Sequence, residues 1–196
     1  MWIRTDEHEE AMGALEAFGR FLARVPQDAF EWRWAILSLH TALQGFMVVA
    51  IRDTAGMLPL ASDVAAAWMA AYRTGQPLPQ EHLDSFLNLY RKIKRSEIAN
   101  FLQGNHFVPS GTQGRSVKIL NRIRNQFVHF VPASWSLEGT GLPAMGLDCL
   151  AIIRYLAHQY RDHLWTAAEL ERIDAALAFA TVTLEDLRGE YEGEAV

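Results

Sequence analysis

The chain has a single cysteine, Cys149, in 196 residues, which excludes an internal disulfide framework and any multi-cysteine zinc module. It also lacks a glycine-rich phosphate loop after a strand, a His-Glu-x-x-His pair, a Gly-x-Ser-x-Gly elbow and a calcium loop. Seven histidines are present, but none lies three or four residues from another. His158 and His163, five apart, fall about 140° from each other around a helix, a poor chelating pair, so neither a metal nor a cofactor is expected. Alternation of apolar and polar residues, the mark of strands, is absent. The first ten residues turn acidic at once and hold no apolar core, which argues against a signal peptide.

What is present is ordinary globular composition, 50% hydrophobic and 21% charged, enough for one full core over residues 1–196. The longest apolar run, Trp34 to Ile51, contains Ser38, His40, Thr41 and Gln44 and is barely long enough for ~30 Å of hydrocarbon. Ser38, Thr41, Gly45 and Arg52 form a small or polar stripe at helical spacing, which suits the central helix of a soluble bundle, and the cytoplasm is the expected compartment. His40 is expected as a hydrogen-bonded core histidine rather than a site, and Cys149 as a buried helical thiol.

Helical periodicity dominates and predicts an all-α antiparallel bundle of about six to seven helices. The expected helices run from Asp6 to Val25, with Met12, Leu15, Phe18, Phe21 and Leu22 on one side, and from a cap at Asp28 to Ile51. Further helices follow over Ser62–Tyr72, Gln80–Leu102, Val117–Phe130, Leu142–Leu164 and Thr166–Tyr191. Val131-Pro132 should stop the fifth, because proline disfavours helical geometry in the residue before it, and a turn-rich loop around Trp135 follows.

Net charge is −5, unevenly spread. Between Arg91 and Arg124 the residues Arg91, Lys92, Lys94, Arg95, Arg115, Lys118, Arg122 and Arg124 face only Glu97, giving +7 locally and −12 elsewhere. Such a segment can hold a polyanion, or be the solvated faces of two helices. Nearly all the basic residues are arginine, which suits bidentate phosphate contacts.

The chemically loaded stretch lies in the Val117–Phe130 helix. Val117, Leu120, Ile123, Phe127 and Phe130 have core spacing, while Lys118, Arg122, Asn125 and His129 form a continuous polar stripe. Arg124 stands about 140° from His129 and meets it only through its long side chain, a local distortion or a second subunit. These residue types fit RNA cleavage through the 2′-hydroxyl. That reaction needs a base, an acid and positive donors for the crowded phosphorus centre. One histidine does not easily serve both proton transfers, whereas two copies in a symmetric dimer do.

Arg124-Asn125-x3-His129 at the end of a helix in an all-α chain resembles the Arg-x(4–6)-His signature of the HEPN domains (higher eukaryote and prokaryote nucleotide-binding). The run from Ser116 through Trp135-Ser136-Leu137-Glu138 to Pro143 is also similar to uncharacterised bacterial proteins. The HEPN resemblance implies a bundle that dimerises with its motifs facing each other. It implies Arg124, Asn125 and His129 as catalytic residues, and Lys118 and Arg122 on the polar stripe are expected to guide the phosphate backbone. The implied activity is metal-independent endoribonuclease action in toxin–antitoxin, abortive-infection or CRISPR-linked defence, with an antitoxin as a further partner. Other members bind nucleotides or act as scaffolds, so a binding module and an interaction scaffold stand as alternatives. HEPN toxins governed by a nucleotidyltransferase antitoxin often carry a modifiable tyrosine two residues after the histidine. Here that position is Val131, so this form of control is not expected. The acidic C-terminal stretch, Glu169 to Glu194, suggests a shield for the basic segment or a contact for a basic partner, and as a shield its truncation after Arg188 is expected to raise RNA affinity.

Overall fold

Local capping and core spacing account for where most helices lie. In the computed structural model, which describes residues 2–129 and 136–194, there are eight α-helices and, among the described residues, no strand beyond an isolated antiparallel bridge between Leu60 and Leu83. The expected all-α bundle is found. Phe130, Val131-Pro132 and Trp135, expected as a core position, a helix stop and a loop, lie outside the described residues.

Helix α1 (Glu7–Leu22) starts at Asp6, whose carboxylate accepts the amides of His8 and Glu9 at 3.0 and 2.9 Å. It buries Met12, Leu15, Phe18 and Leu22. Helix α2 (Glu31–Ile51) begins three residues after Asp28, because that carboxylate caps a turn ahead of the helix, accepting the Phe30 amide at 2.9 Å. Helix α2 is the axis of the bundle and touches α1, α4 (Phe86–Lys92), α6 (Gln113–Val128) and α7 (Leu142–His158). Gly45 lets α1 approach closely, since a Cβ there would sit 2.8 Å from the Ala11 Cβ. By length and composition α2 passes for a membrane span, yet 61% of its apolar window is buried inside the bundle. Helix α8 (Ala167–Glu194) closes the other side against α1 and α7. There Arg172 bridges Glu9 at 2.8 Å and Glu16 at 3.0 Å.

Two expectations are corrected. The single helix over Gln80–Leu102 is instead α4 and α5 (Ser96–Phe101), with 80–85 non-helical. Asp84 causes this. Buried, it accepts the Ser85 amide at 2.8 Å and the Asn88 side chain at 2.7 Å, and pairs with Lys92 Nζ at 2.8 Å. Lys92 also donates to the carbonyls of Leu58 and Leu60 at 3.0 and 2.6 Å, which ties the strap before α3 (Ser62–Thr74) to α4. Helix α3 itself lies at the periphery and buries only Val64. Helix α7 ends at His158, six residues before the expected Leu164, because Tyr160 turns inward and is fully buried. Its carbonyl accepts the Asn105 amide at 2.6 Å, an approach Gly104 permits, since a Cβ there would lie 2.3 Å from that oxygen.

Candidate functional site at the end of helix α6

Helix α6 is held by its apolar edge. Val117, Leu120 and Ile123 are buried, as their spacing predicts, and Phe127 is half-buried. The first turn is pinned to α7 by Asp148, which accepts the hydroxyls of Thr112 and Ser116 at 2.6 and 2.5 Å. The opposite face, with Arg115, Lys118, Arg122 and, just past the helix, His129, is exposed.

The helix stops two residues earlier than expected, so His129 is its terminal cap rather than part of its last turn. Its backbone leaves helical geometry (φ −102°, ψ 89°) while its amide still donates to the Asn125 carbonyl at 2.9 Å. Among the described residues the His129 imidazole makes no hydrogen bond, and the residue is exposed.

Arg124 takes the other direction. It is half-buried and donates from Nη1 to the Asn125 side-chain oxygen at 3.0 Å. It also lies close enough to His40, on α2, for its charge to act on that ring. His40 is 4% exposed, stacks on Phe86 with ring centroids 3.9 Å apart, and places Nε2 3.3 Å from the Asn121 side-chain oxygen. Burial holds the His40 pKa down to about 4, with the Asn121 hydrogen bond opposing and the Arg124 charge adding. At neutral pH the ring is therefore neutral, and facing an amide oxygen it donates from Nε2.

Of the residues singled out in the sequence, the fold thus brings Arg124 and Asn125 together and leaves Lys118, Arg122 and His129 exposed along the outer face. The histidine that Arg124 approaches is His40. The His40–Asn121 pair was not foreseen, and its one sequence signal was a histidine inside an apolar run.

The basic segment resolves in the same way. Lys92 is spent on Asp84, Arg91 donates to the Asn88 side chain, and Lys94 lies 4.4 Å from the centre of the Tyr90 ring. Arg95, Arg115, Lys118 and Arg122 remain exposed with no acidic partner among the described residues, three of them on α6. Elsewhere His158 pairs with Asp174 at 2.8 Å and His8 with Glu169 at 3.3 Å. Cys149 is fully buried, and burial pushes its thiol pKa far up, so it is no nucleophile.

Comparisons of the chain with family models, curated proteins and solved structures find no match. The site stands on its own residues. Chemically, α6 offers an uncompensated cationic face leading to an exposed histidine, with an amide-braced guanidinium on the neighbouring edge.

Proposed function

We propose that this chain is a cytoplasmic, HEPN-type endoribonuclease that holds RNA along α6 and cleaves it without a metal, one α6 from each of two copies forming the site. The carrying observation is the exposed face of α6, on which Arg115, Lys118 and Arg122 have no acidic partner among the described residues and which runs directly into the exposed His129. Arg124 is half-buried on the His40 side of α6 while His129 is exposed just past its end, so in this reading a shared site draws them from different copies.

In this reading one His129 takes the proton of the ribose 2′-hydroxyl. The freed oxygen attacks phosphorus, forming the 2′,3′-cyclic phosphate. The bond to the 5′-oxygen breaks, and the second copy's His129 returns a proton to that oxygen. Arg124, braced by Asn125, donates to the phosphoryl oxygens as charge builds there, while Lys118 and Arg122 track the neighbouring phosphates. A toxin or phage-defence role, with an antitoxin as partner, follows from the same resemblance.

The test is incubation of labelled single-stranded RNA and a transfer RNA pool with the protein in excess EDTA, beside His129→Ala and Arg124→Ala. Cleavage that survives EDTA, leaves a cyclic phosphate and vanishes in both variants supports the reading. Full activity in a folded His129→Ala variant sinks it.

A second reading, RNA or nucleotide binding without cleavage, is favoured by the placement of Arg124 on the His40 side of α6. Salt-sensitive binding with no product selects it.

A further inference from the structure

Where the start of α2 passes the end of α6 and the last turns of α8, the described residues enclose a cavity of about 590 Å³. It falls in the range of about 300–1,000 Å³ usual for small-molecule sites. Its walls are mainly apolar and aromatic: Phe30, Trp32, Phe127, Leu142 and Tyr191. Polar side chains reach it from Arg33, Thr140, Gln126 and Tyr191. The Tyr191 hydroxyl accepts the Trp32 indole N–H at 2.9 Å, which leaves its own proton to give, and the Gln126 amide carries both a donor and an acceptor. Gln126 is exposed, and so is Phe30, at 86%.

The position of Gln126 links this cavity to the cationic face. Arg122 lies four residues before it and His129 three after, so all three share one side of α6. Arg33 lines the cavity and Arg122 stands one helical turn before Gln126, so a flat ring there has cationic side chains near it. That combination suits an RNA strand, whose unpaired bases stack on aromatic side chains while its phosphates meet arginine and lysine. We infer that the cavity is a subsite for one unpaired nucleobase of the strand that runs along α6, with Phe30 stacking on the base and Gln126 and Tyr191 reading its polar edge. The inference rests on α6 being an RNA face and assigns that face a means of preferring RNA over other polyanions.

The experiment measures displacement of a labelled hexauridylate or hexaadenylate from the full chain by unlabelled RNA hexamer and by inorganic polyphosphate of matched charge, which has no base. Phe30→Ala and Gln126→Ala are tested alongside, both side chains being too exposed for the fold to depend on them. The RNA hexamer should compete better than polyphosphate by roughly tenfold or more. Each variant should bring RNA down toward the polyphosphate level and leave polyphosphate unchanged.

Equal competition by the two ligands in the wild type overturns the base subsite and leaves the cationic face standing. So does parallel weakening of both ligands in the variants. If neither ligand binds at physiological salt, the reading of α6 falls and the subsite with it. If the variants change the sedimentation of the protein but not its preference for RNA, the cavity covers a second copy of the chain, which also overturns the assignment.

Discussion

The side chains of His40 and Asn121 meet 3.3 Å apart across the contact between α2 and α6. With the Asp148 contacts that hold the first turn to α7, this bond ties α6 to its neighbours, and Arg124 follows one turn along the same edge. The ring is buried and sits near a guanidinium, so it can keep that bond without cost only while it is neutral.

Stability should therefore depend on pH through His40. Its folded pKa, about 4, is below the ordinary 6.5, so between those values the unfolded chain binds a proton that the folded chain refuses. The contribution is fully present above the unfolded pKa and is lost as pH falls toward 4, in all about 3 kcal/mol. Urea unfolding at pH 7, 5.5 and 4.5 should show this decline in the wild type and a flatter one in His40→Gln. An equal decline in both would assign the titration elsewhere.

Lys92→Met should destabilise the protein strongly, although it removes a residue from the basic segment. The Lys92 and Asp84 side chains are only 12% and 8% exposed, and removing one partner strands a buried charge, worth about 3 kcal/mol or more. Chemical denaturation reads the loss, and Lys92→Met with Asp84→Asn should recover much of it. A loss below about 1 kcal/mol would mean that water replaces the ammonium.

Arg115→Ala, Lys118→Ala and Arg122→Ala should leave the fold intact and each reduce the slope of log affinity for single-stranded RNA against log salt by about 0.7 to 1. Lys94→Ala, whose ammonium lies over the Tyr90 ring, should leave the slope unchanged. Affinity titrations at four salt concentrations distinguish the two groups, and an unmoved slope in all the α6 variants would remove RNA from that face.

The acidic end of α8 gives a fourth prediction. Truncation after Arg188 is a poor test, because it deletes Tyr191, which accepts the Trp32 indole N–H. Glu190→Gln with Glu192→Gln removes two carboxylates, frees Arg188 from Glu192 and keeps that bond. RNA affinity should rise severalfold at low salt, with the gain vanishing near 0.5 M salt as screening shortens. No change at low salt would leave these carboxylates as a solvated helix end.

Much of the fold was legible because helices record themselves locally. Val117, Leu120 and Ile123 are buried as their spacing requires, Cys149 is a core thiol, and His40 is a hydrogen-bonded core histidine. The break between α4 and α5 was not legible. Apolar spacing runs through it, and at the break the Ile93 carbonyl accepts the Phe107 amide at 2.9 Å, a partner fourteen residues away that no local period encodes.

The candidate site divides in the same way. The order of residues along α6 determined by itself that Lys118, Arg122, Asn125 and His129 share a side and that Arg124 departs from it, because rotation per residue is a property of the helix alone. Which side faces α2, which cations keep their charge uncompensated and which histidine lies beside Arg124 were decided only by packing. Desolvation and pairing depend on groups far apart in the chain that become neighbours when the core closes, and no local period encodes them.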